Sequence, residues 1–278
     1  MEYVFHRGEY VLRHQATIHV DDRAHRFGDG FFESIRVANG KVQFIEGHFL
    51  RIQETIKALK IQPTDFSLER LLSEMEGLLL RNEINEGARM RITFYRKSKG
   101  FYLPKEHDLD YFIEVESIPN NHFELNEKGK VIDIYTDVKK DPHRYAGFKT
   151  LSTQLYVMAS IFAEEKGWDD SLIQNTKQAI IEATASNLFL VSNGVLYTPA
   201  LTDGPVGGTM RMNVINLALE NKLKVYECTI NPQNLLTADE VFLTNAIRGI
   251  EWVSSYRSKP YQNVVSGKLI EWLNQRLK

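Results

Sequence analysis

Residues 118–130 read Ile-Pro-Asn-Asn-His-Phe-Glu-Leu-Asn-Glu-Lys-Gly-Lys, a polar, turn-rich stretch between two regions of strand and helix patterning. This break constrains the fold more than any other feature. It predicts a smaller N-terminal domain over 1–118, a linker over 119–130 and a larger C-terminal domain over 131–278, both α+β. In the first region, Tyr3–Ile18 reads as a hairpin turning at Arg7-Gly8, and Glu33–Phe44 as two strands joined by Asn39-Gly40, a strong hairpin signal. A helix is expected over 46–59, with Phe49, Ile52, Ile56 and Leu59 on one face, and another over 68–80. Strands are expected at 88–95 and 111–115. The second region opens with a strand at 131–136 and a helix at 152–166 ended by Gly167. Strands at 171–174, 179–182, 188–191 and 195–197 follow, then a helix at 210–220. Strands at 224–230 and 240–243 precede a final amphipathic helix at 264–277.

Charge and cysteine content exclude several function classes. A formal net charge of −2, from 34 basic and 36 acidic residues, lacks the basic excess of a nucleic-acid binder. The lone Cys228 rules out an intrachain disulfide and suits a reducing compartment. With no signal-peptide pattern and no long apolar stretch, a cytoplasmic protein without nucleic-acid or membrane partners is expected. No Walker loop, dinucleotide-binding glycine fingerprint, His-Glu-x-x-His or Cys-x-x-Cys is present, and histidine spacing predicts no metal site.

Four segments stand out: Asp22-Arg-Ala-His-Arg-Phe-Gly-Asp-Gly-Phe-Phe-Glu-Ser-Ile-Arg36, followed by His48-Phe-Leu-Arg51; Gly147-Phe-Lys-Thr-Leu-Ser152; Ile181-Glu-Ala-Thr-Ala-Ser-Asn-Leu-Phe189; and Thr198-Pro-Ala leading to Gly207-Gly-Thr-Met-Arg211. In order and spacing they resemble the class IV aminotransferases, which include branched-chain and D-amino-acid aminotransferases and 4-amino-4-deoxychorismate lyase. The resemblance spans nearly the whole chain. It implies a two-domain fold-type-IV enzyme, a homodimer, acting on a small amino substrate with pyridoxal 5'-phosphate (PLP). Lys149 then carries the cofactor as a Schiff base, since a neutral amine can attack an aldehyde; otherwise it is one surface lysine among many. Glu182 matches the acid paired with the pyridine nitrogen, the pairing that makes the ring an electron sink; the alternative is a solvent-facing strand end. Arg51 matches the phosphate-gripping arginine; the alternative is a solvated helix face or an ion pair with Glu46 or Glu54. Thr209 and Met210 open a helix and would aim backbone N–H groups at the phosphate. Asn187 is read as supporting its local turn.

Departures from the branched-chain pattern favour the lyase. Ser34 stands where those enzymes carry glycine, and keeps a hydroxyl for proton transfer or for a substrate carboxylate. Met210 replaces a threonine before the arginine. Phe242-Leu-Thr-Asn-Ala-Ile247 lacks the family's Gly-Thr pair, so Thr244 or Asn245 would have to supply that phosphate contact. Gln154 replaces a tyrosine five residues after the lysine. Arg96, in Tyr95-Arg-Lys-Ser-Lys-Gly-Phe-Tyr102, is a candidate for a substrate carboxylate, with a solvated basic turn as the equal alternative. The expected reaction is formation of 4-aminobenzoate and pyruvate from 4-amino-4-deoxychorismate. The alternative is transamination of branched-chain or D-amino acids with a 2-oxo acid acceptor.

Overall fold

The structure is a computed structural model describing residues 2–278. The chain forms two compact units. One holds residues 2–122 with 148–152 and 277–278, and the other holds 123–147 and 153–276.

In the first unit a six-stranded antiparallel sheet is built from β1 (Tyr3–His6), β2 (Glu9–Leu12), β3 (Gly30–Ala38), β4 (Lys41–Val42), β5 (Ala88–Lys97) and β6 (Asp108–Ser117), in the order β2-β1-β6-β5-β3-β4. Both hairpin turns fall where Gly residues predicted them. Asn39 and Gly40 have φ of 50° and 68°, the left-handed pair that matches the twist of the flanking strands. Helices α1 (Arg23–Phe27), α2 (Ile45–Ala58) and α3 (Leu68–Arg81) complete the unit. Ile52 and Ile56 of α2 and Leu71, Met75 and Leu78 of α3 join Phe31, Ile35, Ile92 and Phe94 in one core. The predicted face of α2 is therefore real. It also buries His48 and Arg51, which apolar periodicity does not reveal.

The second unit contains β7 (Lys130–Ile134), α4 (Gln154–Lys166), β8 (Asp170–Gln174), β9 (Ile180–Ala183), β10 (Asn187–Ser192), β11 (Val195–Pro199), α5 (Thr209–Glu220), β12 (Val225–Cys228), α6 (Pro232–Thr237), β13 (Glu240–Asn245), β14 (Gly249–Tyr256), β15 (Lys259–Pro260) and α7 (Val264–Asn274). Its sheet runs β12-β11-β10-β13-β14-β7-β8-β9, and β9 also pairs with β10, so the strands from β10 round to β9 close a ring. Ile132, Leu172, Leu188, Leu243 and Val253 share a core cluster from strands of this ring.

The structure adds elements to those expected, among them β14, and corrects one assignment. Strand β14 was not anticipated: its central Glu-Trp-Val-Ser-Ser breaks the apolar run, and its pairing with β13 and β7 comes from tertiary packing. Lys149 was assigned to the C-terminal domain, but its segment belongs to the first unit. Phe32 N–H donates to Lys149 O at 2.9 Å and Leu151 N–H to Gly30 O at 3.0 Å, stitching residues 149–151 onto β3. Within the 119–130 segment, Asn126 is tied to Trp252 by its side chain, giving and accepting hydrogen bonds at 3.0 and 2.9 Å. Among the described residues no helix is long and apolar enough to cross a membrane.

Candidate active site

In the first unit, side chains alternate along β3, so Phe32, Ser34 and Arg36 share one face and Phe31, Glu33 and Ile35 the other. The two faces do different chemistry.

On the Phe32 face, Lys149 Nζ lies 4.5 Å from the centroid of the Phe32 ring. The guanidinium carbon of Arg91 lies 3.9 Å from the same centroid. Arg91 stands directly opposite Ser34 in the β3–β5 register, with Thr93 opposite Phe32. Lys149 and Arg91 thus share one aromatic ring, and Ser34 lies on the same face of β3, paired with Arg91. Burial lowers the affinity of Arg91 for its proton, with the Arg89 charge adding to the effect and Glu114 opposing it. A half-buried guanidinium resting on an aromatic face is a strong candidate for an anionic ligand group. Sequence reading missed Arg91. The signal was present, since Arg89, Arg91 and Thr93 alternate with Met90, Ile92 and Phe94 and so mark the polar face of a strand.

The Glu33 face carries a buried polar cluster. Arg51 donates from Nε to Glu33 Oε1 at 2.7 Å and from Nη2 to Oε2 at 2.6 Å, a bidentate fork. His48 Nδ1 lies 2.7 Å from Glu33 Oε2. Burial alone would raise the carboxyl pKa of Glu33. The Arg51 charge and the His48 contact overcome it and hold the value at about 2, against an ordinary 4.5. For His48 burial dominates, and its pKa is lowered despite the nearby carboxylate; Arg51 and Lys149 push the same way. His48 therefore stays neutral near neutrality and donates Nδ1–H, because an ionised carboxylate only accepts. The ion pair offered as the alternative for Arg51 exists, but its partner is Glu33 on β3, reached through the tertiary fold, not Glu46 or Glu54 on the same helix.

Arg96 is a correction. Its Nε donates to Asp29 at 3.0 Å, Nη2 to Leu59 O at 2.7 Å and Nη1 to Lys60 O at 3.1 Å, with His107 Nδ1 2.8 Å from Nη1. The side chain is buried, and these contacts tie β5 to the end of α2. Asp29 also accepts from Arg23 Nε at 2.7 Å. The guanidinium is a structural clamp committed to protein acceptors, and Arg91, five residues earlier on the same strand, takes over as the candidate for a substrate carboxylate.

In the second unit, Glu182 on β9 pairs with Asn187 on β10, which pairs with Thr244 on β13. Directly paired residues point to the same side of a sheet, so these three form one row, on the face opposite Leu188 and Leu243. Glu182 is buried. Its Oε1 accepts from Lys140 Nζ and from Tyr156 OH, each at 2.8 Å, and its Oε2 accepts from Val206 N–H at 2.8 Å. Asn187 donates to Val206 O at 2.7 Å. Asn187 therefore holds a segment nineteen residues away rather than its own turn. The two side chains fasten the segment ahead of α5, where Gly208 is the N-cap and Thr209 and Met210 begin the helix, both buried. Helix starts expose N–H donors that have no intrahelical acceptor. Arg211 is buried too, donating to Pro199 O at 2.9 Å and Glu227 at 2.6 Å. The Thr244 hydroxyl is buried with no hydrogen-bond partner. Asn245 instead closes its own turn: its Oδ1 accepts from Ile247 and Arg248 N–H at 3.0 and 2.8 Å, and its Nδ2 donates to Ser186 at 3.0 Å. Of the two proposed substitutes for the missing family threonine, Thr244 keeps its hydroxyl uncommitted and Asn245 does not. Gln154, the first residue of α4, is exposed.

The profile of the class IV amino-transferases matches residues 30–256. The chain belongs to that family. As a class IV amino-transferase it is a PLP-dependent enzyme, as the sequence resemblance implied. Over 277 residues it is 28% identical to a provisionally named branched-chain-amino-acid aminotransferase of Methanocaldococcus jannaschii, covering 99% of this chain and 95% of the relative. A D-alanine aminotransferase of Listeria monocytogenes is 26% identical over 245 residues, covering 84% and 81%. Among solved structures, the branched-chain aminotransferase of Thermoproteus uzoniensis superimposes with a TM-score of 0.89 at 22% identity over 99% of this chain and 95% of that one. A protein of Legionella pneumophila provisionally named 4-amino-4-deoxychorismate lyase gives 0.82 at 26% identity over 95% and 97%. The fold is fold type IV.

The residues of this class IV amino-transferase fit its cofactor. Two carboxylate oxygens offer about four acceptor positions. Three on Glu182 are filled by Lys140, Tyr156 and Val206, which leaves one on Oε2 for a single N–H donor. Thr244 offers an unpartnered hydroxyl in the same row. The backbone before α5 leaves no space for a larger residue: a Cβ on Gly208 would lie 1.9 Å from Asn187 Oδ1. Gly208→Ala is therefore expected to displace the 206–208 segment and weaken PLP binding at least 10-fold, about 1.4 kcal/mol, as read by titrating the apo-protein. Unchanged affinity would show that this segment does not hold the phosphate.

Proposed function

We propose that the enzyme is a 4-amino-4-deoxychorismate lyase, releasing 4-aminobenzoate and pyruvate. The observation that carries this reading is the polar surround of Lys149. Arg91 rests on the same Phe32 ring, and Ser34 stands across the strand pair from it. An aliphatic amino-acid side chain gains nothing from a guanidinium and a hydroxyl, whereas a substrate with carboxylates on a cyclohexadiene ring gains an ion pair and a hydrogen bond.

In this reading Lys149 anchors the cofactor through Nζ. Glu182 would accept the ring N–H on Oε2, Thr209 and Met210 would donate backbone N–H groups to the phosphate, and Arg51, aimed by Glu33, would add its charge. Thr244 would contribute its hydroxyl, and Asn245 would shape the turn that follows. Bound PLP supplies the electron sink that makes a proton on the amino-bearing carbon removable. Lys149 Nζ, released from its anchor, would take that proton as general base and return one to the departing three-carbon unit. Arg91 would hold a substrate carboxylate, and Ser34 would orient it or pass a proton. No second substrate is consumed, because ring aromatisation and loss of pyruvate balance the elimination.

Transamination of branched-chain or D-amino acids is the second reading, favoured by the names of two relatives similar in sequence. A homodimer in a reducing cytoplasm is proposed with both. The exposed apolar side chains of Val157, Met158 and Ile161 on α4 support self-association. The deciding experiment supplies 4-amino-4-deoxychorismate, and separately a panel of L- and D-amino acids with 2-oxoglutarate, to the holoenzyme. Expected are 4-aminobenzoate and pyruvate in equal amounts, a Ser34→Gly rate lower than that of Ser34→Thr, and an Arg91→Met KM raised at least 10-fold. Efficient transamination of leucine, isoleucine, valine or D-alanine without detectable 4-aminobenzoate would replace the lyase by the second reading.

A further inference from the structure

Lys140 follows β7 and was not singled out by any motif. Its backbone is fixed on both sides: its N–H donates to Gln174 O at 2.9 Å, and its carbonyl accepts from Thr176 N–H at 3.1 Å. The side chain is about 10% exposed and donates to Ala146 O at 2.9 Å as well as to Glu182 Oε1 at 2.8 Å. Tyr156, from the first turns of α4, donates to the same oxygen. Burial, reinforced by the Glu182 charge, raises the Tyr156 pKa far above the usual phenol range, so its hydroxyl remains a donor.

We infer that Lys140 is a positioning residue that sets the protonation of the cofactor's ring nitrogen through Glu182. The inference rests on the reading of Glu182 as the ring-nitrogen partner. Two consequences follow from the geometry. With Oε1 saturated by Lys140 and Tyr156, only Oε2 can receive a ring N–H, so the carboxylate cannot rotate or swap oxygens without breaking buried hydrogen bonds. The ammonium also neutralises much of the negative charge that would otherwise favour a pyridinium. The ring nitrogen therefore binds its proton less tightly than it would beside an unpaired carboxylate. That gives the enzyme a softer electron sink, in keeping with a reaction that needs one proton removed and no long-lived carbanion.

The test is 15N NMR of full-length holoenzyme loaded with PLP labelled at the ring nitrogen, comparing the native chain with Lys140→Met, Lys140→Arg and Glu182→Gln across pH. Lys140→Met is expected to move the resonance toward the pyridinium position and raise the apparent ring pKa by on the order of one unit. Lys140→Arg, which keeps charge and donors, is expected to restore the native value. If Lys140→Met takes up no cofactor, Lys140→Gln, which keeps a donor without the charge, is read in the same way. A resonance that moves in Glu182→Gln but not in the uncharged Lys140 variants overturns this inference alone. A resonance unmoved in Glu182→Gln overturns the Glu182 reading and this inference with it.

Discussion

Lys149→Ala is expected to abolish turnover and to leave no PLP attached to the chain after borohydride reduction, while the apo-protein folds with native stability. Alanine removes the only atom of this side chain able to form the covalent link and to take up the proton. The backbone that carries the residue should survive. Lys149 O accepts from Phe32 N–H, and Leu151 N–H donates to Gly30 O, and neither contact involves the side chain. The Phe32 ring keeps its contact with Arg91. Mass spectrometry of the reduced protein checks the prediction: a PLP adduct on another lysine in the variant would show that the anchor lies elsewhere.

Arg51→Ala is expected to do two separable things. The first is loss of stability in the apo-protein, by about 3–5 kcal/mol, because the substitution leaves the Glu33 carboxylate buried without its cation. The second is weaker PLP binding, by about 1.5–3 kcal/mol if a charge-assisted phosphate contact goes with it. Urea unfolding of the apo-protein reads the first, and PLP titration of the folded fraction reads the second. A double variant, Glu33→Gln with Arg51→Met, should lose less stability than the sum of its single changes, because no uncompensated charge remains. The pH dependence has a definite sign. The folded pKa of Glu33, about 2, lies below its ordinary 4.5. The folded state thus binds fewer protons in that window, and the stabilisation present above about pH 4.5 is lost as pH falls through about 2. The depressed His48 pKa acts in the same direction, beginning below its ordinary 6.5. Arg51→Ala should flatten the part of acid unfolding that comes from Glu33. An unaltered acid profile and native stability would mean that the Glu33–Arg51 fork contributes nothing to folding.

The local elements and the family were legible because their signals are local. Asn39-Gly40 adopts the left-handed turn conformation that a tight hairpin requires, so two residues suffice to announce the turn. Apolar residues three and four apart disclosed α2 and α3, since helix geometry places them on one face. The ordered motifs around Lys149, Glu182 and Arg51 carried the family and its cofactor. What the sequence could not disclose is which side chains meet across strands. Whether Arg91 or Arg96 is open to a substrate depends on what surrounds each guanidinium. Arg96 is consumed by Asp29 and the carbonyls of Leu59 and Lys60, while Arg91 points from the other face of the strand onto Phe32. The row of Glu182, Asn187 and Thr244 exists only through strand register. The sequence by itself determined most of the helices and strands, the family and its cofactor, because propensity and motif act over a few positions along the chain. Tertiary structure alone decided which charges are spent on holding the fold and which remain for chemistry, because hydrogen-bond partners many residues away compete for the same few donors and acceptors.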